Sequence, residues 1–297
     1  MTRIAAKLSL LAGAALLMFA GTALANEKCA TCHADIAVSH AKSYHAKVWA
    51  AKKSGDDCAS CHGGTDAHIA NPSKDTIITF GKNSKQSAEK QSAQCLSCHA
   101  SSTGLTHWSM GQHKKNDVAC TACHSVHNSA KPQVKQPDVC YACHKDTKAQ
   151  ANKPSHHPIK EGKIKCSDCH NTHGTLSHGM IRAENNNQLC YKCHAEKRGP
   201  YMWEHPPVEE DCLKCHAPHG TKAAKLLVEK VPNLCQNCHD WSRHPGSIYD
   251  AKTGFSGSAP SNRFFARSCT NCHSAIHGSN APHNPANGYN SGKAFTR

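Results

Sequence analysis

The pattern of apolar and polar positions divides the chain into two unequal parts. Arg3 and Lys7 lead into an apolar run from Leu8 to Ala20, which ends at Ala23-Leu24-Ala25. A basic start, a short apolar run and small residues at its end form the pattern of a cleavable secretion signal, and the run is short for a membrane span. Residues 1–25 are therefore expected to be a signal peptide, with the mature chain starting near Asn26 in the periplasm. No later stretch is long and apolar enough to cross a bilayer as a helix. Amphipathic spacing is confined to short pieces, such as residues 222–230 and the stretch before Cys95, separated by segments rich in Gly, Pro, Asn and Lys. This predicts a mostly irregular chain with short α-helices and almost no β-structure.

Such a chain has too little apolar material for an ordinary core. Hydrophobic residues make up 38%, aromatics 5%, and twenty of the residues counted as hydrophobic are cysteines. Side chains alone could not offset the entropy of ordering, so another apolar mass must be packed inside. The cysteines identify it. Each lies in a Cys-x-x-Cys pair followed at once by His: Cys29-Cys32-His33, Cys58-Cys61-His62, Cys95-Cys98-His99, Cys120-Cys123-His124 and Cys140-Cys143-His144 in the first half. The second half adds Cys166-Cys169-His170, Cys190-Cys193-His194, Cys212-Cys215-His216, Cys235-Cys238-His239 and Cys269-Cys272-His273, and no cysteine is left over.

With His at 25 of 297 positions, chance would place one after all ten pairs with a probability on the order of 10⁻¹¹, which removes the disulfide and redox-dithiol readings. Zinc ribbons need no adjacent His and seldom follow a secretion signal. Two thioethers two residues apart clamp a porphyrin edge and place the adjacent His beneath the iron as proximal ligand. The expected cofactors are ten haems c. The proximal iron ligands are His33, His62, His99, His124, His144, His170, His194, His216, His239 and His273.

The sixth ligands are expected to be histidines. After signal cleavage only Met110, Met180 and Met202 remain, and Met ligation would raise the potentials of the haems it served. His127, His173 and His219 each follow a motif His by three residues, and His277 follows the last by four. A His so close cannot easily reach around its own haem, so it is expected to cap a neighbouring one. His113 and His205 lie seven residues before a motif and His157 lies nine before one. His45, His68 and His244 complete ten distal candidates. His157 is preferred to His156 on the phase of the repeat and the Pro158 that follows. His40, His107, His156, His178 and His283 are surplus. Ten caps for ten irons leave no site for substrate, which argues for an electron carrier rather than an enzyme.

A tandem repeat orders these motifs. CTACHSVH begins at Cys120, CSDCHNTH at Cys166 and CLKCHAPH at Cys212, each 46 residues after the last, with simpler motifs at Cys140, Cys190 and Cys235 between them. Two haems per unit, packed mainly on neighbouring units, make an extended haem wire. The polar segment from Lys145 to Lys165 separates five motifs from five, so pentahaem-like halves are expected at residues 26–150 and 151–297. The formal charge of +14 falls to +12 without Arg3 and Lys7. Propionates change its meaning: at roughly −1 per ferric and −2 per ferrous haem, the mature protein is near about +2 oxidised and about −8 reduced. The lysines then balance propionates, and nucleic acid is not an expected partner.

The sequence resembles the periplasmic decahaem cytochromes of the MtrA type, including PioA-like and DmsE-like proteins. ITFGKNSKQSAEKQ before Cys95, CSDCHNTHGT at Cys166, CYKCHAEKRGPYMWEHPPV from Cys190 and SCTNCHSAIHGSN from Ser268 carry the resemblance, which spans nearly the whole mature chain. It implies a multihaem cytochrome c fold held inside a porin-like outer-membrane β-barrel, passing electrons between periplasmic cytochromes and the cell exterior. An extracellular multihaem cytochrome or a terminal reductase would be the outer partner. Metal reduction or Fe(II) oxidation would be the purpose. The first motif begins only three residues into the expected mature chain, where that family often has a longer extension, which leaves haem 1 more exposed. The motifs alone serve a soluble periplasmic shuttle or store equally well. A multihaem oxidoreductase would show a changed ligand or an open iron.

Overall fold

The computed structural model describes residues 27–52, 57–127, 134–239, 269–271, 273–281 and 295. The expected signal peptide, Cys272, His244 and His283 lie outside the described residues. Contacts group the chain into two compact units, Met1–Thr79 with His124–Pro132, and Phe80–Cys123 with Gln133–Arg297. Within the second unit the Gln136 amide bonds the Ser167 hydroxyl at 3.0 Å, and the His113 ring bonds the Thr172 carbonyl at 2.9 Å. Those hydrogen bonds cross the 150/151 boundary drawn above from motif order.

In the first unit the helices Glu27–Ala30, Ala34–His40, Tyr44–Lys52, Asp57–His62 and Thr65–Ala70 follow in close succession. Asp57–His62 carries the whole motif Cys58-Cys61-His62. In the second unit the stretch before Cys95 forms a helix, Ala88–His99, as its spacing predicts. Ser87 starts it by accepting the Lys90 N–H on its hydroxyl, satisfying one of the open amides of the first turn. Cys95, Cys98 and His99 then occupy its last turns.

Residues 222–230 do not form the expected amphipathic helix. Ala224–Leu226 is a single 3-10 turn, Lys225 and Leu226 both sit at φ 57°, and Leu227 bridges His216. The Ala217 N–H donates to Leu226 O at 2.8 Å and the Val228 N–H to Cys215 O at 2.9 Å. The segment's peptide groups pair with the preceding motif, so they are not available to each other. The same arrangement occurs 46 residues earlier: Ile181 bridges His170, Asn171 N–H donates to Met180 O at 2.9 Å, and Arg182 N–H donates to Cys169 O at 2.8 Å. At Cys166 and Cys212 the sequence repeat is thus a structural repeat, with both motifs closed by a returning loop.

Among the described residues β-structure is limited to isolated bridges, and no ladder extends from them. Buried apolar side chains are as scarce as composition implies. Among the described residues they are Ala37, Trp108, Ala151, Ile159, Ile181 and Ala223, three of them alanines, against six buried polar residues. Three large side chains at about 1.5–3 kcal/mol each cannot offset an ordering cost of about 1–2 kcal/mol per residue. The polypeptide is built around a mass it does not itself supply.

Candidate haem-binding sites

Seven motif histidines each face a histidine from outside the motifs. The ring centroids lie 6.3 Å apart for His33–His68, 5.9 Å for His62–His127, 6.0 Å for His144–His113 and 6.1 Å for His170–His219. They lie 6.3 Å apart for His194–His157, 6.2 Å for His216–His277 and 6.1 Å for His239–His205. Aromatic pairs in general spread over about 4.5–7 Å. Two metal–imidazole bonds of about 2 Å and two ring radii of about 1.2 Å give about 6.4 Å, so each of these pairs has room for an iron between its rings, while the surplus His40 also lies 6.1 Å from His127. The remaining motif histidines are His99, His124 and His273, and the remaining distal candidates are His45, His173 and His244, with His244 outside the described residues. The His173 ring lies 6.3 Å from Trp108.

Hydrogen bonds fix which nitrogen of each ring is free. Nδ1 of the motif histidines His62, His170 and His216 lies 2.7, 2.8 and 3.0 Å from the carbonyls of Ile78, Gly179 and Lys225. Nδ1 of His113, His157 and His205 lies 2.9, 2.7 and 3.0 Å from the carbonyls of Thr172, Pro218 and Ile276. A carbonyl only accepts, so Nδ1 carries the proton and Nε2 keeps its lone pair for a metal. Burial holds His62, His127, His205, His216, His219 and His277 below the ordinary imidazole value, favouring the neutral form that ligates. His156 is different. Its two nitrogens face the Lys153 carbonyl and the Glu161 carboxylate, and that carboxylate raises its pKa.

The cysteines show how successive motifs meet. Cys95 and Cys120, Cys140 and Cys166, Cys190 and Cys212, and Cys235 and Cys269 lie within hydrogen-bonding reach of each other. All are first cysteines of consecutive motifs. Cys123, Cys169 and Cys215 are raised chiefly by burial, with Cys143, Cys193 and Cys238 close enough to add to it. Those are second cysteines of consecutive motifs. From Cys95 onward, neighbours therefore come near each other alternately at the first and at the second attachment sulfur.

Known proteins share these motifs. A family model described as a doubled CXXCH motif matches residues 156–199 and 205–244, and one described as cytochrome c-type protein NrfB-like matches residues 58–135. The multiheme cytochrome MtrA of Shewanella baltica (strain OS185) is 40% identical over 264 residues, covering 86% of this chain and 79% of that protein. The chain belongs to the MtrA family of multihaem c-type cytochromes. Its fold is that of a multihaem cytochrome c, with short helices and irregular chain.

Haem c is the cofactor these residues fit. The ring spacing leaves room for an iron, and the cysteine pairs supply thioether attachment. Trp108 Nε1 and Tyr141 Oη are buried without a hydrogen-bond partner in the polypeptide, donors of the kind a propionate satisfies. Haem supplies a one-electron iron couple, and electron transfer is the chemistry of the family. The polypeptide orients the imidazoles, holds Nδ1 protonated and fixes where the attachment sulfurs meet.

Sequence reasoning missed the residues that fasten these junctions. Ser92 Oγ accepts from the Cys120 N–H at 3.4 Å, Gln136 Oε1 from the Ser167 N–H at 3.0 Å, and Asn187 Oδ1 from the Cys212 N–H at 2.7 Å. Each precedes the first cysteine of one motif by three or four residues and holds the start of the next. The available signal was a recurring polar residue at that offset, in QSAQC, QPDVC and NNQLC.

Proposed function

We propose that the chain binds ten haems c, each closed by two histidines, and conducts electrons between the periplasm and the cell exterior from within a porin-like outer-membrane barrel. The seven pairs of motif and non-motif histidines at 5.9–6.3 Å carry this reading. An iron held by a histidine on both faces would exchange electrons without opening a site for substrate, which supports the reading of a carrier. The contacts between consecutive motif cysteines support a haem order that follows the sequence. With His45, His173 and His244 as the remaining caps, every motif has a distal partner by count. The two groups of five haems are residues 26–150 and 151–297.

A barrel would supply the lipid-facing surface, since no helix among the described residues is long and apolar enough to cross a membrane. Periplasmic cytochromes would exchange electrons at one end, and an extracellular multihaem cytochrome or terminal reductase at the other. The test is to purify the protein with its outer-membrane partner, insert the complex into liposomes loaded with a reduced dye, and add ferric oxide outside. Dye oxidation without leakage is expected. A haem-loaded protein that is unattached to any barrel and leaves the dye reduced is a soluble periplasmic shuttle instead. A high-spin signal in the resting protein would point to an oxidoreductase.

A further inference from the structure

Three of the ring hydrogen bonds described above share one acceptor rule. His113, His157 and His205 donate to Thr172, Pro218 and Ile276, and each acceptor immediately precedes another distal candidate: His173, His219 and His277. The residue after each of those histidines is glycine: Gly174 at φ +110°, Gly220 at φ +146° and Gly278 at φ +135°. A Cβ on Gly174 would run into the His107 carbonyl, on Gly220 into the Gln150 carbonyl, and on Gly278 into the Tyr201 ring. Only glycine lets the backbone lie that close with that φ. In two cases the segment is also sewn down by paired peptides two residues out, Ser155 with Thr221 and Trp203 with Ser279.

We propose that this carbonyl–His–Gly segment is a clasp that fixes the axial ligands of neighbouring haems to each other. His157 faces His194 and His219 faces His170, so one clasp joins the sites of the sixth and seventh motifs. His205 faces His239 and His277 faces His216, so another joins the eighth and ninth. These are the junctions where Cys169 approaches Cys193 and Cys215 approaches Cys238. A backbone acceptor on Nδ1 strengthens the imidazole as a donor and favours ferric iron. The acceptor belongs to the neighbour's ligand segment, so moving that segment must alter both sites at once. Pro218 and Gly220 are positioning residues for His157 as well as for His219. The inference rests on the two-histidine reading.

The experiment uses the secreted, haem-loaded full chain and three variants, read by redox titration and by spin-quantified EPR. His157→Met tests the ligand reading alone, and one iron should gain the near-infrared charge-transfer band of His/Met ligation. Gly220→Ala tests the clasp. Its haem content should be unchanged, two irons should change g values together, and the site capped by His157 should move to higher potential. Gly104→Ala, where a Cβ meets nothing within 4 Å, should match the wild type. A normal His157→Met result with a Gly220→Ala change confined to one iron, or to none, overturns the clasp. If Gly220→Ala fails to mature, the wild type still decides. In the reduced, ¹⁵N-His-labelled protein the Nδ1 protons of His157 and His205 should exchange slowly, and fast exchange of both overturns the clasp.

Discussion

Replacing Asn187 with alanine should loosen one junction of the chain and leave the others intact. Asn187 is buried, 7% exposed, and its side chain makes three hydrogen bonds: Nδ2 to the carbonyls of Val208 and Glu209 at 2.9 Å each, and Oδ1 from the Cys212 N–H at 2.7 Å. Alanine leaves one N–H and two carbonyls without these partners. At about 1 kcal/mol per bond the local loss is about 3 kcal/mol, and at about 1.4 kcal/mol per tenfold it corresponds to a rise of about a hundredfold in opening. Because each motif unit packs mainly on its neighbours, the effect should stay near the lesion. Native-state hydrogen exchange by mass spectrometry on the holoprotein measures this directly. Peptides covering Asn186–Cys190 and Pro206–Lys214 should lose about two decades of protection, while the helix Ala88–His99 keeps its own. A loss below about threefold would refute the assignment of Asn187 as the fastener of this junction. An equal loss throughout would refute the local character of the packing.

Mass spectrometry of the mature protein should show one haem addition for each of the ten motifs and no free thiol, and fewer than nine would leave motifs vacant. The rings of His113 and His144 are crossed at 83°, whereas those of His33–His68, His62–His127, His170–His219, His205–His239 and His216–His277 lie within 12–27°. Crossed ligand planes load both iron dπ orbitals equally, so the His113–His144 site should give a large-gmax EPR signal beside the rhombic signals of the others. Its persistence in a His113→Met variant would contradict the assignment. The His156–Glu161 pair should be pH-dependent: Glu161 is lowered by the His156 hydrogen bond and His156 is raised by Glu161. The contribution of Glu161 is therefore lost as pH falls through its depressed pKa, and that of His156 as pH rises through its elevated pKa. Glu161→Gln should bring the His156 titration, followed by NMR in the reduced protein, down toward about 6.5, and an unmoved midpoint would count against the pair.

The covalent motifs were legible because attachment chemistry dictates a local spacing, and the same is true of the helix that ends at His99. Of the distal candidates, His113, His127, His157, His205, His219 and His277 share a phase relative to the motifs, and the structure sets each opposite a motif histidine. The partners of the candidates were not legible, since His170 meets His219 across 49 positions and His33 meets His68 across 35. Residues 222–230 misled because amphipathic spacing records a preference that Cys215 and Ala217 override by pairing with Val228 and Leu226. Ser92, Gln136 and Asn187 were overlooked for the opposite reason, since only their offset before a motif marks them. A polar side chain that bonds a distant backbone amide leaves almost no trace in composition.

The alternation of sulfur contacts gives the polypeptide a grammar of length. A 46-residue unit starting at Cys120, Cys166 or Cys212 enters on a first-cysteine contact, keeps the approach of its second cysteines inside, and hands on through another first-cysteine contact, so a unit can follow a copy of itself without inventing a third kind of joint. Duplication or deletion of one unit by recombination would preserve every remaining interface and change the cofactor number by two. Adding a single motif would bring unlike edges together. Evolution within such a chain should therefore favour pairs, and span should adjust in steps set by the unit, much as a chain is lengthened by whole links.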